Sequence, residues 1–277
     1  MIHEIAPEHL DNQYYPYEPD ENSRICIMGK GTMLGKKGTD PFEFPSYEQV
    51  KDRTDHYQYL FSIDDRKYFS ASLTVQELPE DTDWLDMNTI RKAAGNSEAM
   101  AGITAMHLIN WYRSVQYCGR CGQKAEHDSK ERMMRCPACG NMMFPKINPA
   151  VVVAVTDGER LLLTRYAHVT QKNSYALVAG FVEIGETAEE CCIREVLEEV
   201  GVHIKNVKYY KTQPWGVAGN LMMGYTAVLD GEKDITLDRN ELAEAVWLTP
   251  DEIPDIDDYS SLTREMIRYF KQGKLEF

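Results

Sequence analysis

The sequence predicts an α/β protein: a sandwich of helices about a mixed β-sheet in its C-terminal half, preceded by a cysteine-held ribbon and a small β-rich N-terminal domain. Three observations carry that prediction. Residues 148–155, NPAVVVAV, form an apolar strand-like run that passes through the turn Thr156-Asp157-Gly158 into a hairpin partner at 160–166. A helix with its own start and stop signals follows at 188–200, with further strand-like runs after it. Two C-x-x-C pairs lie upstream, each followed by glycine, at a spacing that suits a ribbon hairpin.

Taken in order, residues 24–28, 56–63 and 68–73 are short strand-like runs separated by Pro-, Gly- and Asp-rich turns, and they define a β-rich domain over residues 1–96. Cys26 is a strand residue in this reading. Residues 97–113 read as a helix with Met100, Ile103, Met106 and Ile109 on one face and Trp111 and Tyr112 near its end, a stripe best explained by core packing. That helix and the cysteine segment occupy residues 97–145. In the remaining domain, 146–277, a third strand is expected at 175–179, then the helix, then strands at 205–212, 221–229 and 243–248 and a closing helix at 261–272. Cys191 and Cys192 are adjacent on the central helix, so their side chains diverge and both are read as packing residues.

Composition restricts the function classes. A chain of 277 residues with 43% hydrophobic residues can bury a substantial core, and its length alone points to about two domains. The N-terminus has neither a basic n-region nor an apolar h-region, and no stretch approaches about 18 uncharged apolar residues, so a cytoplasmic enzyme without a membrane span is expected. A formal charge of -14 argues against a general nucleic-acid binder while leaving room for a local basic pocket.

The chemistry concentrates in GFVEIGETAEECCIREVLEEVGV, residues 180–202. Thr187 followed by Glu190 is a capping box, no Gly or Pro interrupts residues 188–200, and Gly201 can take the left-handed C-terminal conformation. On the resulting helix Glu195, Glu198 and Glu199 stand at i, i+3 and i+4 and share a face. Like charges so close repel unless hard divalent cations sit among them. Mg²⁺ or Mn²⁺ takes oxygen ligands and bridges phosphate oxygens, and a carboxylate nearby can accept the proton of an attacking water. Arg194 can hold Glu186 by a bidentate pair. The bland alternative is a solvated acidic helix.

Cys118-Gly-Arg-Cys121 and Cys136-Pro-Ala-Cys139 are separated by 14 residues and each is followed by glycine, which lets four thiolates converge on one structural Zn²⁺. That separation is one residue under the usual range, and a ribbon hairpin adjusts to it. Two disulfides fit poorly without signs of secretion, and a thioredoxin-like site needs one pair, not two. The intervening 123–135 mixes basic and acidic residues and has no aromatic for base stacking, so a structural role is favoured over nucleic-acid binding. The seven histidines show no i, i+4 pairing, and none is assigned to a metal.

Residues Gly180, Glu186, Arg194, Glu195, Val196, Glu198, Glu199, Gly201 and Val202 match every fixed position of G-x5-E-x7-R-E-U-x-E-E-x-G-U, where U is aliphatic, and so resemble the Nudix box of the Nudix hydrolases. With the CGxCG and CPxCG knuckles and the Phe144-Pro145 step ahead of it, the chain looks like the NADH pyrophosphatase (NudC-type) branch. The resemblance is good from about Tyr112 onward and holds only in general layout before residue 95. It implies a Nudix α/β/α sandwich and hydrolysis of NADH, and of the NAD cap on RNA, to nicotinamide mononucleotide and an adenylate part. It also implies a homodimer.

The same resemblance puts metal ligands at the Ala179 carbonyl, Glu195, Glu199 and Glu241, with Glu198 either binding an additional metal or supporting one. It puts substrate contacts at Glu131, Phe144 and the loop Gln213, Pro214, Trp215, Gly216, Val217, Ala218, Gly219, Asn220, while Phe181 either stacks on the substrate or packs in the core. The branch carries P-F-P where this chain has Gly216-Val217-Ala218, so a more flexible loop and weaker selectivity are expected. ADP-ribose, FAD and other nucleoside diphosphate derivatives are therefore alternative substrates. A non-catalytic nucleotide sensor is a lesser alternative, disfavoured because a sensor needs no full set of Glu186, Glu195, Glu198 and Glu199.

Overall fold

A computed structural model describes residues 1–39, 42–93, 95–167 and 174–277. The chain divides into two compact units, one comprising Ile2–Lys146 with Gly216–Gly219, the other Met1, Ile147–Trp215 and Asn220–Phe277.

In the first unit, strands β1 (Leu10–Asp11), β2 (Arg24–Cys26), β3 (Met33–Lys36), β4 (Thr54–Ile63), β5 (Arg66–Leu73) and β6 (Thr82–Leu85) are interspersed with short helices α1 (Tyr47–Val50) and α2 (Met87–Lys92). They form a four-stranded sheet in the order β1-β4-β5-β2 and a separate β3-β6 pair. Cys26 lies in β2 as expected, fully buried. Helix α3 (Ser97–Ser114) starts where Asn96 accepts from the Glu98 backbone N–H. Its stripe of Met100, Ile103, Met106 and Ile109 is buried, so the core reading of that stripe holds. The ribbon is a three-stranded sheet of β7 (Glu126–His127), β8 (Met134–Arg135) and β9 (Met142–Met143).

The second unit holds β10 (Asn148–Thr156), β11 (Leu161–Tyr166), β12 (Val178–Phe181), α4 (Ala188–Val200), β13 (Ile204–Trp215), β14 (Asn220–Leu229), β15 (Leu242–Leu248) and α5 (Leu262–Lys271). The sheet runs β13-β14-β10-β11-β15, with β12 also on β10. β10 and β14 are parallel and the other pairs antiparallel, which makes the sheet mixed.

The unbroken apolar run of β10 follows from burial on both faces. Val151, Val153 and Val155 pack with Cys191, Cys192, Val196 and Val200 of α4. Val152 and Ala154 pack with Leu262, Met266 and Ile267 of α5. Alternate residues of one strand thus face two helical layers, and the two cysteines are packing residues as expected. The expected third strand at 175–179 sits further along: β12 begins at Val178, and Ala176 makes only an isolated bridge to Thr164. No helix of the described residues is long and apolar enough to cross a membrane.

Candidate active site and zinc centre

Helix α4 presents the carboxylates because its ends are fixed. Thr187 Oγ1 accepts from the Glu190 backbone N–H, Glu190 accepts from the Thr187 N–H at 2.8 Å, and Gly201 closes the helix at φ 72°. β12 lies against this helix through Gly180, where an added Cβ would stand 2.0 Å from the Glu195 carboxyl carbon. The glycine at the head of the motif therefore makes room for the Glu195 carboxylate beside β12 and its Ala179.

Arg194 organises the acidic groups. Its Nε and Nη2 donate to the two Glu186 oxygens at 2.7 and 2.9 Å, Nη1 donates to Glu195 at 2.8 Å and Glu198 at 2.9 Å, and Nη2 also reaches the Phe181 carbonyl at 3.0 Å. The Glu183 backbone N–H donates to Glu186 as well. Arg194 with this N–H brings the Glu186 pKa down to about 2. The expected bidentate pair is present, and it reaches further than expected, to Glu195 and Glu198.

Glu199 is in the opposite situation. It is 3% exposed, and its Oε2 has no hydrogen-bond partner among the described residues. Burial raises its pKa to about 8, reinforced by Glu195, Glu241, Asp238 and Glu198. Burial also raises the Glu195 pKa, against the Arg194 hydrogen bond. A buried carboxylate with an orphaned oxygen among like charges is an environment that a divalent cation would neutralise, so the donor set fits Mg²⁺ or Mn²⁺. Among the described residues these carboxylates are not drawn to the close spacing that the cysteines show, and two of them, Glu195 and Glu198, are paired with Arg194.

Two neighbours were not singled out from the sequence. Tyr166 has its pKa pushed up to about 12 by burial and then by Glu199, Glu241 and Glu195, which places its hydroxyl in the same field. Asp238 anchors the strand of chain beside Glu199 through its backbone N–H to the Glu199 carbonyl at 2.9 Å. The acidic run around Glu241 was a signal for Asp238, whereas Tyr166 gave none.

The remaining proposed contacts divide. Phe181 is 52% exposed, so it is not a core residue and its ring is open to a ligand; Phe144 is 53% exposed in the other unit. Glu131 is exposed in the ribbon, with its backbone N–H held by Asp128. Gln213, by contrast, is 1% exposed with both ends of its amide engaged: Nε2 donates to the Ser260 carbonyl at 2.8 Å and Oε1 accepts from the Leu262 N–H at 2.7 Å. It ties β13 to the start of α5. Asn220 is buried, and its Oδ1 lacks a partner among the described residues.

The loop Gly216, Val217, Ala218, Gly219 is a tight turn closed by Gly219 N–H to the Gly216 carbonyl at 3.3 Å. A Cβ on Gly216 would lie 2.1 Å from the Ile103 carbonyl oxygen, so the missing side chain permits close packing on α3. The expected loosening thus has a counterpart: Gly216 is held because it is small.

In the ribbon the four sulfurs of Cys118, Cys121, Cys136 and Cys139 lie within 4.8 Å of one another, with pairs at 3.5 and 3.6 Å. Tetrahedral zinc with bonds of about 2.3 Å sets sulfurs about 3.8 Å apart. Backbone donation from Arg120 brings the Cys118 thiol down to about 6, so this ligand is readily a thiolate. The donor set fits structural Zn²⁺.

A zinc-ribbon unit and a mixed-sheet unit whose capped helix carries glutamates define a Nudix-type hydrolase. The NUDIX domain family matches residues 146–270 and the NADH pyrophosphatase zinc ribbon domain family residues 113–144. The NAD-capped RNA hydrolase NudC of Chromobacterium violaceum is 34% identical over 201 residues, 73% of this chain and 75% of that protein. The protein of the same name from Pseudomonas aeruginosa is 37% identical over 158 residues, 57% of this chain and 56% of that protein. A NUDIX hydrolase from Nitrosomonas europaea of known crystal structure aligns over 57% of this chain and 92% of its own, at 20% identity and a TM-score of 0.46. The chain belongs to the Nudix hydrolase family, in the branch that carries the NADH pyrophosphatase zinc ribbon.

Proposed function

We propose that the protein hydrolyses the diphosphate bond of NADH and NAD⁺, and of the NAD cap on RNA, releasing nicotinamide mononucleotide, in its reduced form from NADH, and AMP or a 5′-monophosphate RNA. The observation that carries this reading is Glu199, buried, raised to about 8 and orphaned at Oε2 within a ring of carboxylates. The relatives named NAD-capped RNA hydrolase supply the substrate class.

Glu195, Glu199, Glu241 and the Ala179 carbonyl would hold Mg²⁺ or Mn²⁺, with Glu198 in support. The bound ion would neutralise the diphosphate and lower the pKa of the attacking water. The protein's own part is to keep the glutamates apart and oriented. Arg194 fixes Glu186, Glu195 and Glu198, while a carboxylate of this set takes the proton from water. Phe181 offers its exposed aromatic face to the base or nicotinamide. Phe144, Glu131 and residues Pro214 to Asn220 stay candidate substrate contacts on the family resemblance, whereas Gln213, buried with its amide engaged, serves the fold rather than the substrate. In this reading residues 1–96, 97–145 and 146–277 act as N-terminal domain, ribbon with its helix, and hydrolase domain, and the enzyme works in the cytoplasm as a homodimer.

The replacement of P-F-P by Gly216-Val217-Ala218 favours a second substrate reading, ADP-ribose, FAD or a related nucleoside diphosphate derivative. Comparing kcat/KM for NADH, NAD⁺, FAD, ADP-ribose and an NAD-capped RNA tests both. Preference for NADH or NAD⁺ supports the first, and an excess for ADP-ribose or FAD replaces it by the second.

A further inference from the structure

A cleft of about 410 Å³ lies within the first unit, where β4 and β5 meet the end of α3 and the ribbon. Its floor is apolar, contributed by Ile109, Tyr112 and Met134. Its charged lining residues are Arg113 and Lys124, both basic, and the imidazoles of His56 and His127 stand beside them. In a chain with 44 acidic against 30 basic residues, a cleft lined by two cations and no carboxylate departs from the overall balance, although the Asp55 carboxylate stands against His56.

The groups are also placed. The His127 and Tyr112 rings sit 5.2 Å apart at 42°, a tilted pair that presents an aromatic wall. Arg113 donates from Nη2 to the Met28 carbonyl at 2.8 Å, which holds its guanidinium at the rim. The β4–β5 register shifts between Asp55 and Gln58, and His56 within that shift takes a left-handed φ of 56°. A bulge of this kind re-aims a side chain, and the His56 ring it turns out stands with Nδ1 2.7 Å from Asp55 Oδ1.

We propose that this cleft is a second ligand site, one that binds a nucleotide with its phosphate on Arg113 and Lys124 and its base on the His127–Tyr112 wall. A phosphate alone has no use for the aromatic and apolar floor, and an apolar ligand has no use for two cations. The volume lies in the range of pockets that enclose small ligands. The nucleotide is either a free 5′-monophosphate or one residue of an RNA strand. The site goes beyond the hydrolase reading and does not depend on it.

The test uses the full-length, zinc-loaded protein without Mg²⁺ or Mn²⁺, titrated calorimetrically with AMP, inorganic phosphate and a 5′-phosphorylated adenosine hexanucleotide. The K124E variant alters an exposed side chain and leaves the Arg113–Met28 contact intact, so it serves beside R113Q/K124E. The expected result is at least a tenfold loss of AMP or hexanucleotide affinity at one class of sites in K124E, with kcat/KM for NADH within twofold of the parent. Loss for AMP identifies a free-nucleotide site, and loss for the hexanucleotide alone identifies a strand site. Binding of every probe unchanged in both variants overturns the proposal, and so does inorganic phosphate binding there as tightly as AMP.

Discussion

Replacing Glu199 by Gln separates the charge of this residue from its shape. The carboxyl is raised from 4.5 to about 8, so the folded protein holds a proton that the unfolded chain releases across that interval. The contribution of Glu199 to the stability of the metal-free protein should therefore be largest below about 4.5, fall between about 4.5 and 8, and level off above, because the ionised group is costly where it is buried. At about 1.4 kcal/mol per pH unit the full effect amounts to about 5 kcal/mol. Rearrangement of the four flanking carboxylates reduces it, to not less than about 2 kcal/mol for a group this desolvated.

The amide in the Glu199→Gln variant carries no such proton. That variant should gain on the parent by about 2 to 5 kcal/mol between pH 5 and pH 9, which is about 6 to 15 °C of melting temperature at roughly 3 °C per kcal/mol. The assay is thermal unfolding without divalent ions at both pH values, followed by Mg²⁺ addition. Mg²⁺ should stabilise the parent more at pH 9 than at pH 5 and barely affect the variant, whose turnover should fall by about a hundredfold or more. A melting difference independent of pH, or near-normal turnover, would refute the reasoning.

Other perturbations follow from the same geometry. Gly180→Ala puts a methyl 2.0 Å from the Glu195 carboxyl carbon and should lower kcat by at least about tenfold with the fold retained by circular dichroism; unchanged kcat would show that Glu195 need not lie there. Arg194→Lys loses the bidentate hold on Glu186, so the Glu186 pKa, read by carbon-13 NMR, should rise from about 2 toward its ordinary value; no rise would mean that Arg194 does not set it. Cys136→Ser should lose zinc and cooperative unfolding of the ribbon together, and a variant that retains about one zinc per chain by mass spectrometry would contradict the four-thiolate site. Gly216→Ala should destabilise by about 1 to 3 kcal/mol, because its Cβ meets the Ile103 carbonyl at 2.1 Å; a neutral result in urea unfolding would show that the loop moves aside freely.

The parts of this molecule that were legible in the sequence are those whose signal is local. The capping pair Thr187 and Glu190 and the stop at Gly201 delimit α4 within its own few residues, and the structure has that helix at Ala188–Val200. The apolar run of β10 is equally plain, because burial on both faces leaves no polar position to obscure it. The bounds of β12 are not legible locally, since its pairing with β10 decides them and Gly180 inside it looks like a strand end. Phe181 could not be assigned from sequence: exposure depends on which face of β12 the pairing turns outward.

The same limit explains Gln213 and Glu199. Nothing in QPW says that the glutamine amide is consumed by Ser260 and Leu262, dozens of residues later. Spacing puts Glu195, Glu198 and Glu199 on one face but not at different depths. Only the tertiary packing makes Glu198 an exposed partner of Arg194 and Glu199 a buried carboxylate.

The most direct measurement is product analysis after incubation of the purified protein with NAD⁺ and Mg²⁺ or Mn²⁺, resolved by liquid chromatography and mass spectrometry. Nicotinamide mononucleotide and AMP are expected in equal amounts, formed only with added divalent ion and abolished in Glu199→Gln. Release of nicotinamide and ADP-ribose, or cleavage that persists without a divalent ion, would contradict it.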